Sequence, residues 1–454
     1  MKTIMEKARE INVCREADVV VVGGGPGGIG AAIAAARNGA DTVLVERYGH
    51  LGGMTTGGLV TILPNMSDNN GKRIIAGICR EWIDRLDARE AAASPKLEHL
   101  GSTDKEIVDY YQDRAFFYVG GGRVTDSALI DAEILKYTLN EMVEEAGVKV
   151  YLHSWGTQSV VDNGKVQGII FESKSGRQAI LAKVVIDSTG DGDLLPSAGA
   201  EFDARIDPKL RIANLSLCFW IGGVDLKKAE EFKQSYPEKH AEIMQGVAKS
   251  GGHPRYIKSN LKDQDSVVWF HPRYPCTDQT DVEELTRVEF EGRKKMMATY
   301  EHYKKYLPGF EHCFLALSGP QLGTRGARRV IGEYMVTEKD MQSGEVFDDT
   351  IAVFPAGGRG EDNLYAYMPY RCLVPRKVDG LLVACRAFSS DGVVNTRYNL
   401  IPHCIVFGEA AGTAAALAAK EGIEPRKVNY GALQDRLLKQ GILLPGIESA
   451  KARV

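Results

Sequence analysis

The sequence predicts an α/β protein built on a parallel β-sheet, joined to a second, α+β part. An apolar run at residues 19–22 leads into a glycine-rich turn and an alanine-rich helix, and a second apolar run follows at 42–45. Such runs, separated by a helix, are typical of buried parallel strands. The chain has 454 residues, more than one hydrophobic core usually supports, so two domains are expected.

The first turn has the spacing Gly23-x-Gly25-x-x-Gly28, and the second apolar run ends at Glu46. Gly23 permits the turn, Gly25 leaves the backbone open to a pyrophosphate, and Gly28 lets the helix approach the strand. The N–H groups and dipole at the helix start stabilise phosphate charge. Glu46 would accept hydrogen bonds from the hydroxyls of an adenosine ribose. The pattern therefore predicts a dinucleotide site.

Two later segments favour FAD over NAD. A strand enters a Thr-Gly-Asp-Gly turn at 184–193, and another strand, a loop and a helix of small residues follow at 379–422. Three glycine-rich strand ends returning to one place suit a long, buried dinucleotide. The glycine-rich stretch 356–362 does not sit between a strand and an alanine-rich helix. It therefore does not indicate a second nucleotide domain.

These segments resemble the FAD-dependent oxidoreductases with a glutathione-reductase-like flavin domain, and within them the subgroup allied to fumarate reductase and succinate dehydrogenase flavoproteins. The resemblance lies in the motifs GGGPGGIGAA, VLVER, LGGM, DSTGDGD, GTRGARRVIGEYMVTEKD, MPYRCLVP and GEAAGTAAALAA. It implies a Rossmann-like FAD-binding domain whose parallel sheet carries a β-meander insertion. It also implies non-covalent FAD, although His50, near the second glycine turn, raises covalent attachment as an alternative. Cys385 departs from the glycine expected after its strand.

The resemblance also implies which residues contact FAD. The first fingerprint would bind the ADP half, the turn at 52–54 would approach the isoalloxazine half, and Asp191 would lie near the pyrophosphate. The full set of expected cofactor residues is Gly23, Gly25, Pro26, Gly27, Gly28, Glu46, Arg47, Gly52, Gly53, Met54, Thr55, Thr189, Gly190, Asp191, Asn399 and Gly408.

The flavin domain is expected to be discontinuous, over residues 1–60, 120–200 and 374–454. Residues 61–119 and 201–373 then form a cap or substrate domain. Helical spacing of apolar residues predicts a helix within 126–147, and Asn-Gly and Ser-Gly turns near 163 and 175 predict the meander.

The candidate catalytic residues come from both parts. The segment 395–404 is expected to be a loop ahead of the alanine-rich helix, and it carries Arg397, Tyr398 and His403. Arg397 could hold a carboxylate bidentately, and Tyr398 or His403 could exchange a proton. Each could instead have a structural role: Arg397 could form an ion pair that holds the loop, and His403 could pack near the start of the helix. His271 and Arg325 are candidates from the cap.

Composition excludes several other classes of function. The net charge is −4, which gives no reason to expect nucleic acid as a partner. No apolar stretch approaches the length of a membrane span, and the start of the chain lacks the apolar core of a signal peptide. The eight cysteines show no C-x-x-C spacing, so no metal site is expected. The protein is expected to be cytoplasmic and to act on a small molecule, with a homo-oligomer left open.

The leading hypothesis is a flavoenzyme that transfers a hydride between flavin N5 and a small polar substrate, anionic or hydroxylated. Clustered arginines and tyrosines favour such a substrate. Two alternatives stay open. One is a redox-neutral FAD-containing isomerase or lyase, and the other is a flavin subunit that passes electrons to a protein partner.

Overall fold

A computed structural model describes residues 2–356 and 365–447 of the chain. Its strands are β1 (Asn12–Val22), β2 (Thr42–Val45), β3 (Ile62–Leu63), β4 (Ala92–Ala93), β5 (Val119–Gly120), β6 (Arg123–Val124), β7 (Ala128–Ile130), β8 (Lys149–Tyr151), β9 (Trp155–Asp162), β10 (Lys165–Ser173), β11 (Gly176–Asp187), β12 (Phe202–Asp203), β13 (Asn214–Leu215), β14 (Phe219–Gly222), β15 (Ile257–Lys258), β16 (Val268–Phe270), β17 (Tyr274–Pro275), β18 (Phe314–Ser318), β19 (Arg329–Val330), β20 (Thr350–Pro355), β21 (Tyr365–Pro369) and β22 (Leu381–Val383).

The helices are α1 (Pro26–Arg37), α2 (Ile78–Asp87), α3 (Lys105–Arg114), α4 (Ala132–Glu145), α5 (Leu195–Ala198), α6 (Leu226–Ser235), α7 (Pro237–Lys249), α8 (Val282–Tyr306), α9 (Glu338–Ser343), α10 (Gly392–Tyr398), α11 (Ile401–Glu421) and α12 (Tyr430–Lys439). Short 3-10 helices lie at Gly53–Thr55, Leu97–His99, Phe116–Tyr118, Arg211–Ala213, Tyr370–Leu373 and Pro425–Lys427.

The large sheet has the order β8-β2-β1-β11-β10-β9, with β22 also paired to β11. The pairs β8–β2, β2–β1, β1–β11 and β11–β22 are parallel. The pairs β11–β10 and β10–β9 are antiparallel and form a meander. Strand β11 belongs to both the meander and the parallel part of the sheet. Its first half pairs with β10, and its last residues pair with β22. The expected α/β class and the meander are thus confirmed.

Both faces of the large sheet are buried, because successive valines of β1 point to opposite sides. Val19 and Val21 belong to the core that contains α1, α4 and α11, whereas Val20 and Val22 pack with the meander on the other face. This explains why the strand appears in the sequence as an unbroken apolar run.

Helices α1 and α11 pack against each other with almost no side chain between their backbones. A Cβ on Gly30 would lie 2.4 Å from the Ile405 carbonyl oxygen, and one on Gly412 would lie 2.1 Å from that of Ala31. A Cβ on Gly27 would meet the Ala384 carbonyl oxygen at 1.9 Å, at the end of β22. Glycine at these positions is what allows α1 to lie this close to both neighbours.

A second body is built on the antiparallel sheet β15-β16-β14-β18, with α6, α7 and α8 packed against it. The expected division of the chain into domains stays a prediction. Helix α2 and strand β20, both from segments expected in the cap, contribute Trp82 and Phe354 to the core of the large sheet.

The expectation of a loop at 395–404 is wrong. Asp391 accepts a hydrogen bond from the Val394 N–H at 2.8 Å and so caps α10, which runs to Tyr398 and is followed almost at once by α11. The stretch 357–362, considered above for a second nucleotide, lies outside the described residues.

Helix α11 is long and apolar enough to pass a length-and-composition test for a membrane span within the described chain. In the structure 94% of that apolar window is buried inside the protein. The composition is therefore accounted for by its place as a core helix.

We expect Gly412→Ala to destabilise the protein, because its methyl group would enter the α1 backbone. The expected cost is about 2–3 kcal/mol in the free energy of unfolding, measured by urea denaturation. Gly431→Ala in α12 is the matched control, since its Cβ would come no nearer than 3.3 Å to the Asn429 Oδ1. Equal stability of the two variants would contradict the close contact.

Glu409 of α11 is a buried acid that stabilises the start of α2. It is 2% exposed, and its Oε2 accepts a hydrogen bond from the Ile78 N–H at 2.9 Å. Burial raises the pKa of Glu409 from 4.5 to about 7, an effect that the Ile78 hydrogen bond and Arg37 oppose. The folded protein therefore holds this proton at pH values where the unfolded chain has lost it.

The free energy of unfolding should consequently fall as pH rises from 4.5 to 7, by an amount on the order of 2–3 kcal/mol from this group. Glu409→Gln, which imitates the protonated acid, should match the parent protein at pH 5 and exceed it at pH 8. Urea denaturation at both pH values measures this. Parallel pH profiles for the two proteins would show that Glu409 does not titrate in this range.

Candidate functional site

A narrow crevice runs along the carboxyl ends of β1, β2, β11 and β22, where the strands of an open α/β sheet usually receive a ligand. Many of the residues that the sequence singles out line it. They are Gly23, Gly25, Pro26, Gly27, Glu46, Arg47, Gly53, Met54, Thr189, Gly190 and Asn399.

The floor of the crevice is bare backbone. Gly25 has φ −73°, which any residue can adopt, and a Cβ there would meet only the Gly53 Cα, at 4.0 Å. The side-chain position is therefore open space in the crevice. Helix α1 begins beside it with no side-chain cap on its first N–H groups. Uncapped N–H groups next to open backbone are suited to a phosphate.

Glu46 lies at the end of β2, as the fingerprint requires. It is 5% exposed, and its carboxylate accepts hydrogen bonds from the N–H groups of Gly24 at 2.5 Å and Tyr48 at 2.8 Å. Burial raises the pKa of Glu46, while the two N–H groups act against that rise. The guanidinium of Arg47 lies 4.9 Å from the ring centre of Tyr48, at the edge of the crevice.

The middle turn is held by a residue that the sequence analysis did not single out. Asp187, fully buried, accepts hydrogen bonds from the Thr189 N–H at 3.0 Å and hydroxyl at 2.7 Å, and from the Leu194 N–H at 3.0 Å. Its place as the last residue of β11 before a Thr-Gly turn is the signal that could have found it. It shapes the turn that presents Thr189 and Gly190 to the crevice.

The structure corrects the expectation for Asp191. Asp191 is not among the residues that line the crevice. Its carboxylate accepts hydrogen bonds from Arg386, which does line it, at 2.8 Å and from the Thr324 hydroxyl at 3.2 Å. Asp193 lines the crevice in its place, and burial, followed by the charges of Asp191 and Asp187, raises its pKa to about 6. The sequence could not show which of these two acids, two residues apart in the chain, lines the crevice.

Four other expected cofactor residues do not line the crevice. A Cβ on Gly28 would lie 1.7 Å from the Gly23 carbonyl oxygen, and one on Gly408 would lie 2.0 Å from that of Gly27. Gly408 therefore serves the α1–α11 contact, and Gly28 the tight start of α1. Gly52 adjoins the Thr56 side chain, and Thr55 is buried, with no hydrogen-bond partner for its hydroxyl oxygen among the residues that the structure describes.

His50 also lies outside the crevice. Its ring stacks on Tyr48 at 5.6 Å and its Nδ1 lies 3.4 Å from the Thr56 hydroxyl. This position gives no support to covalent attachment of a cofactor through His50.

A second cavity of about 580 Å³ adjoins the crevice. The two share Met54, Arg386, Asn399 and Ile401 in their walls. Ile401 is the first residue of α11, whose N-terminus has no side-chain cap, so the start of this helix lies where the two spaces meet.

Several arginines line the second cavity. Arg325 and His271, both expected candidates, come together there, with the Arg325 Nη2 donating to the His271 Nε2 at 2.5 Å. Arg273 and Arg211 are also in the wall, and Arg211 donates to Asn399. Within residues 2–356 and 365–447, no carboxylate lies within ion-pair distance of these three arginines.

The arginines affect each other's charge states and that of the histidine. Burial, followed by the charges of Arg325 and Arg273, lowers the pKa of Arg211 to about 9. Burial and the charge of Arg273 lower the pKa of Arg325 to about 10. Burial and the same cations lower the pKa of His271 well below its usual value, so His271 is neutral at pH 7.

The segment around α10 is only partly at the cavity. Arg397 lines it and also donates to the Ala356 carbonyl oxygen. Tyr398 and His403 line neither space: each is 1% exposed, the Tyr398 hydroxyl donates to the Pro355 carbonyl oxygen at 3.2 Å, and the His403 ring lies 4.3 Å from that of Phe354. Their expected role in proton exchange is not supported, because both point into the core.

Comparison with known families gives a match to the model for FAD-dependent oxidoreductases over residues 18–437. This is most of the chain. The protein belongs to the FAD-dependent oxidoreductase family.

Two curated relatives match at lower coverage. A digeranylgeranylglycerophospholipid reductase of Methanopyrus kandleri is 27% identical over 47% of this chain and 46% of its own length. Another, of Methanocella arvoryzae, is 30% identical over 38% of this chain and 39% of its own length. The chain thus spans less than half of the length of the curated relatives that it matches.

Among solved structures, a geranylgeranyl bacteriochlorophyll reductase-like protein from Thermoplasma acidophilum is similar at 15% identity, with a TM-score of 0.43. The match covers 94% of this chain and 83% of that one.

The crevice of this FAD-dependent oxidoreductase fits its cofactor. Gly25 leaves open backbone, the start of α1 offers N–H groups without a side-chain cap, and Glu46 at the end of β2 is placed for a ribose. These residues would hold FAD. When bound, FAD supplies the acceptor or donor of a hydride. The uncapped start of α11 would stabilise negative charge at the junction of the two spaces.

We expect Gly25→Ala to weaken FAD binding without destabilising the apoprotein, because the added methyl group would come no nearer than 4.0 Å to a protein atom, the Gly53 Cα, but would occupy the crevice. A loss of about tenfold or more in FAD affinity, roughly 1.4 kcal/mol, is expected by fluorescence titration. Gly28→Ala is the matched comparison, and it should lower the free energy of unfolding itself. Full FAD affinity in Gly25→Ala would exclude the phosphate from this position.

Proposed function

We propose that this protein transfers a hydride between FAD and an anionic organic substrate held in the arginine-lined cavity. The observation that carries the proposal is the group of Arg211, Arg273 and Arg325, which share one cavity without a carboxylate among the described residues. The proposal keeps the anionic alternative of the sequence analysis, rather than the hydroxylated one.

Electrostatics support an anion in this cavity. Like charges at close range in a partly buried site repel each other, and the lowered pKa values of Arg211 and Arg325 reflect this repulsion together with the loss of water. A bound anion would replace repulsion by attraction. Planar guanidinium groups also hold carboxylate and phosphate oxygens in defined geometry, which would fix the reacting carbon near the shared wall.

His271 acts in this proposal by positioning Arg325. Its Nε2 already accepts a hydrogen bond from the guanidinium, so that nitrogen has no lone pair left for a substrate proton. The Trp269 ring, stacked on His271 at 5.0 Å, holds the imidazole in place. His271 therefore fixes the direction in which Arg325 presents its other N–H groups.

The names of the curated relatives favour a second candidate, the reduction of an isoprenoid lipid. Those relatives are matched over less than half of their length, so their activity comes to this chain only as a proposal. The expected alliance with fumarate reductase flavoproteins likewise stays a proposal. The arginine-lined cavity supports it only in that arginines suit anionic substrates in general.

Stoichiometric bleaching of the flavin absorbance by a reactive anion, under anaerobic conditions, tests the proposed reaction. Arg273→Gln and Arg325→Lys should each raise KM for that anion about tenfold with a smaller effect on kcat, because they weaken binding in ground and transition states alike. Arg80→Gln, on a helix outside both spaces, is the control.

Other outcomes would contradict the proposal. Turnover without net flavin reduction would indicate a redox-neutral enzyme, and reduction only by a protein donor would indicate an electron-transfer subunit. Unchanged KM in both arginine variants would show that the substrate does not use this cavity.

A further inference from the structure

We propose that the substrate is an amphipathic anion, whose oxyanion group binds the three arginines while a compact apolar body packs on apolar side chains that line the same cavity. This inference rests on the proposed function and deepens it. These apolar side chains, called here the apolar wall, are Val60, Ile62, Pro64, Phe116, Phe117 and Val119.

The arginines and the apolar wall come from different parts of the chain. The arginines follow β12, β16 and β18, whereas the apolar wall comes from the segment after the second glycine turn, from the 3-10 helix Phe116–Tyr118 and from β5. Ile62 pairs with Leu129 of β7, which fixes the start of the wall. The cavity therefore combines cationic and apolar side chains in its lining.

The apolar wall is itself firmly packed. Phe117 is 6% exposed, with its ring 4.6 Å from that of Tyr118, and the Tyr118 hydroxyl donates to the Ala93 carbonyl oxygen at 2.8 Å. Phe116, by contrast, is 57% exposed. An apolar body would therefore be covered by the buried members of the wall and less completely beside Phe116.

The size of the cavity agrees with such a body. Its volume of about 580 Å³ lies within the range of roughly 300–1,000 Å³ that holds drug-sized ligands. An acid of two or three carbons would bind the arginines and leave the apolar wall in contact with water. Covering that wall with an apolar group is favourable by the hydrophobic effect.

The test is isothermal titration calorimetry of the FAD-loaded protein with two series of probes. One series is acetate, butyrate, hexanoate, octanoate and decanoate, and the other is inorganic phosphate and the alkyl phosphates of the same lengths. We expect affinity to rise by about threefold for each covered methylene group, then to level off once the alkyl chain has filled the cavity. The heat-capacity change of binding should become more negative over the rising part.

Two substitutions separate the contribution of the apolar wall to binding from that of the arginines. Val119→Thr, which exchanges a methyl group for a hydroxyl, should reduce the gain per methylene and leave acetate binding unchanged. Val161→Thr, on the half-exposed strand β9, is the matched control and should keep the full gain. Arg273→Gln should weaken every member of both series by a similar factor.

The outcomes separate this inference from the proposed function. Affinity that depends on Arg273 but not on chain length would overturn the amphipathic substrate and leave the anionic one standing. Affinity that keeps rising through decanoate would overturn the compact body in favour of a long lipid. No binding by any member of either series would overturn both.

Discussion

The close contact between α1 and α11 is the constraint on which the rest of the structure depends. Glycines at positions 27, 30, 408 and 412 bring these two backbones together, and they also bring the start of α1 against the end of β22. Only with this approach do the starts of both helices reach the ends of the parallel strands. The cofactor crevice and its junction with the second cavity are built from those helix starts and strand ends.

The charge distribution of the two spaces follows from this geometry. The crevice has Glu46 and Asp193 in its walls and uncapped helix N–H groups at its floor, so it is suited to a ligand with both hydroxyls and phosphates. In the second cavity Arg386 is neutralised by Asp191, whereas Arg211, Arg273 and Arg325 are not neutralised within the described chain. The cavity is therefore cationic. The neutral His271 adds no charge to compensate these arginines.

Agreement between sequence and structure differs from one segment to another. The fingerprint at 23–46 and the helix after residue 401 could be predicted, because each needs only local spacing of glycines and apolar residues. The segment 395–404 could not: whether Tyr398 and His403 face a cavity or the core depends on α10, whose capping residue, Asp391, lies outside that segment. Likewise, Asp191 and Asp193 look equivalent until Arg386 pairs with one of them.

The sequence by itself determined the α/β class, the family and the position of the FAD fingerprint, because strand periodicity, turn glycines and a strand-ending acid act over short stretches of chain. The tertiary structure decided which distant residues share a cavity. Arg211, Arg273 and Arg325 are far apart in the chain and carry no common spacing, yet the fold places them in one cavity with the apolar wall. Their joint effect on a substrate depends on desolvation and mutual repulsion, and these arise only when folding removes water and sets the distances.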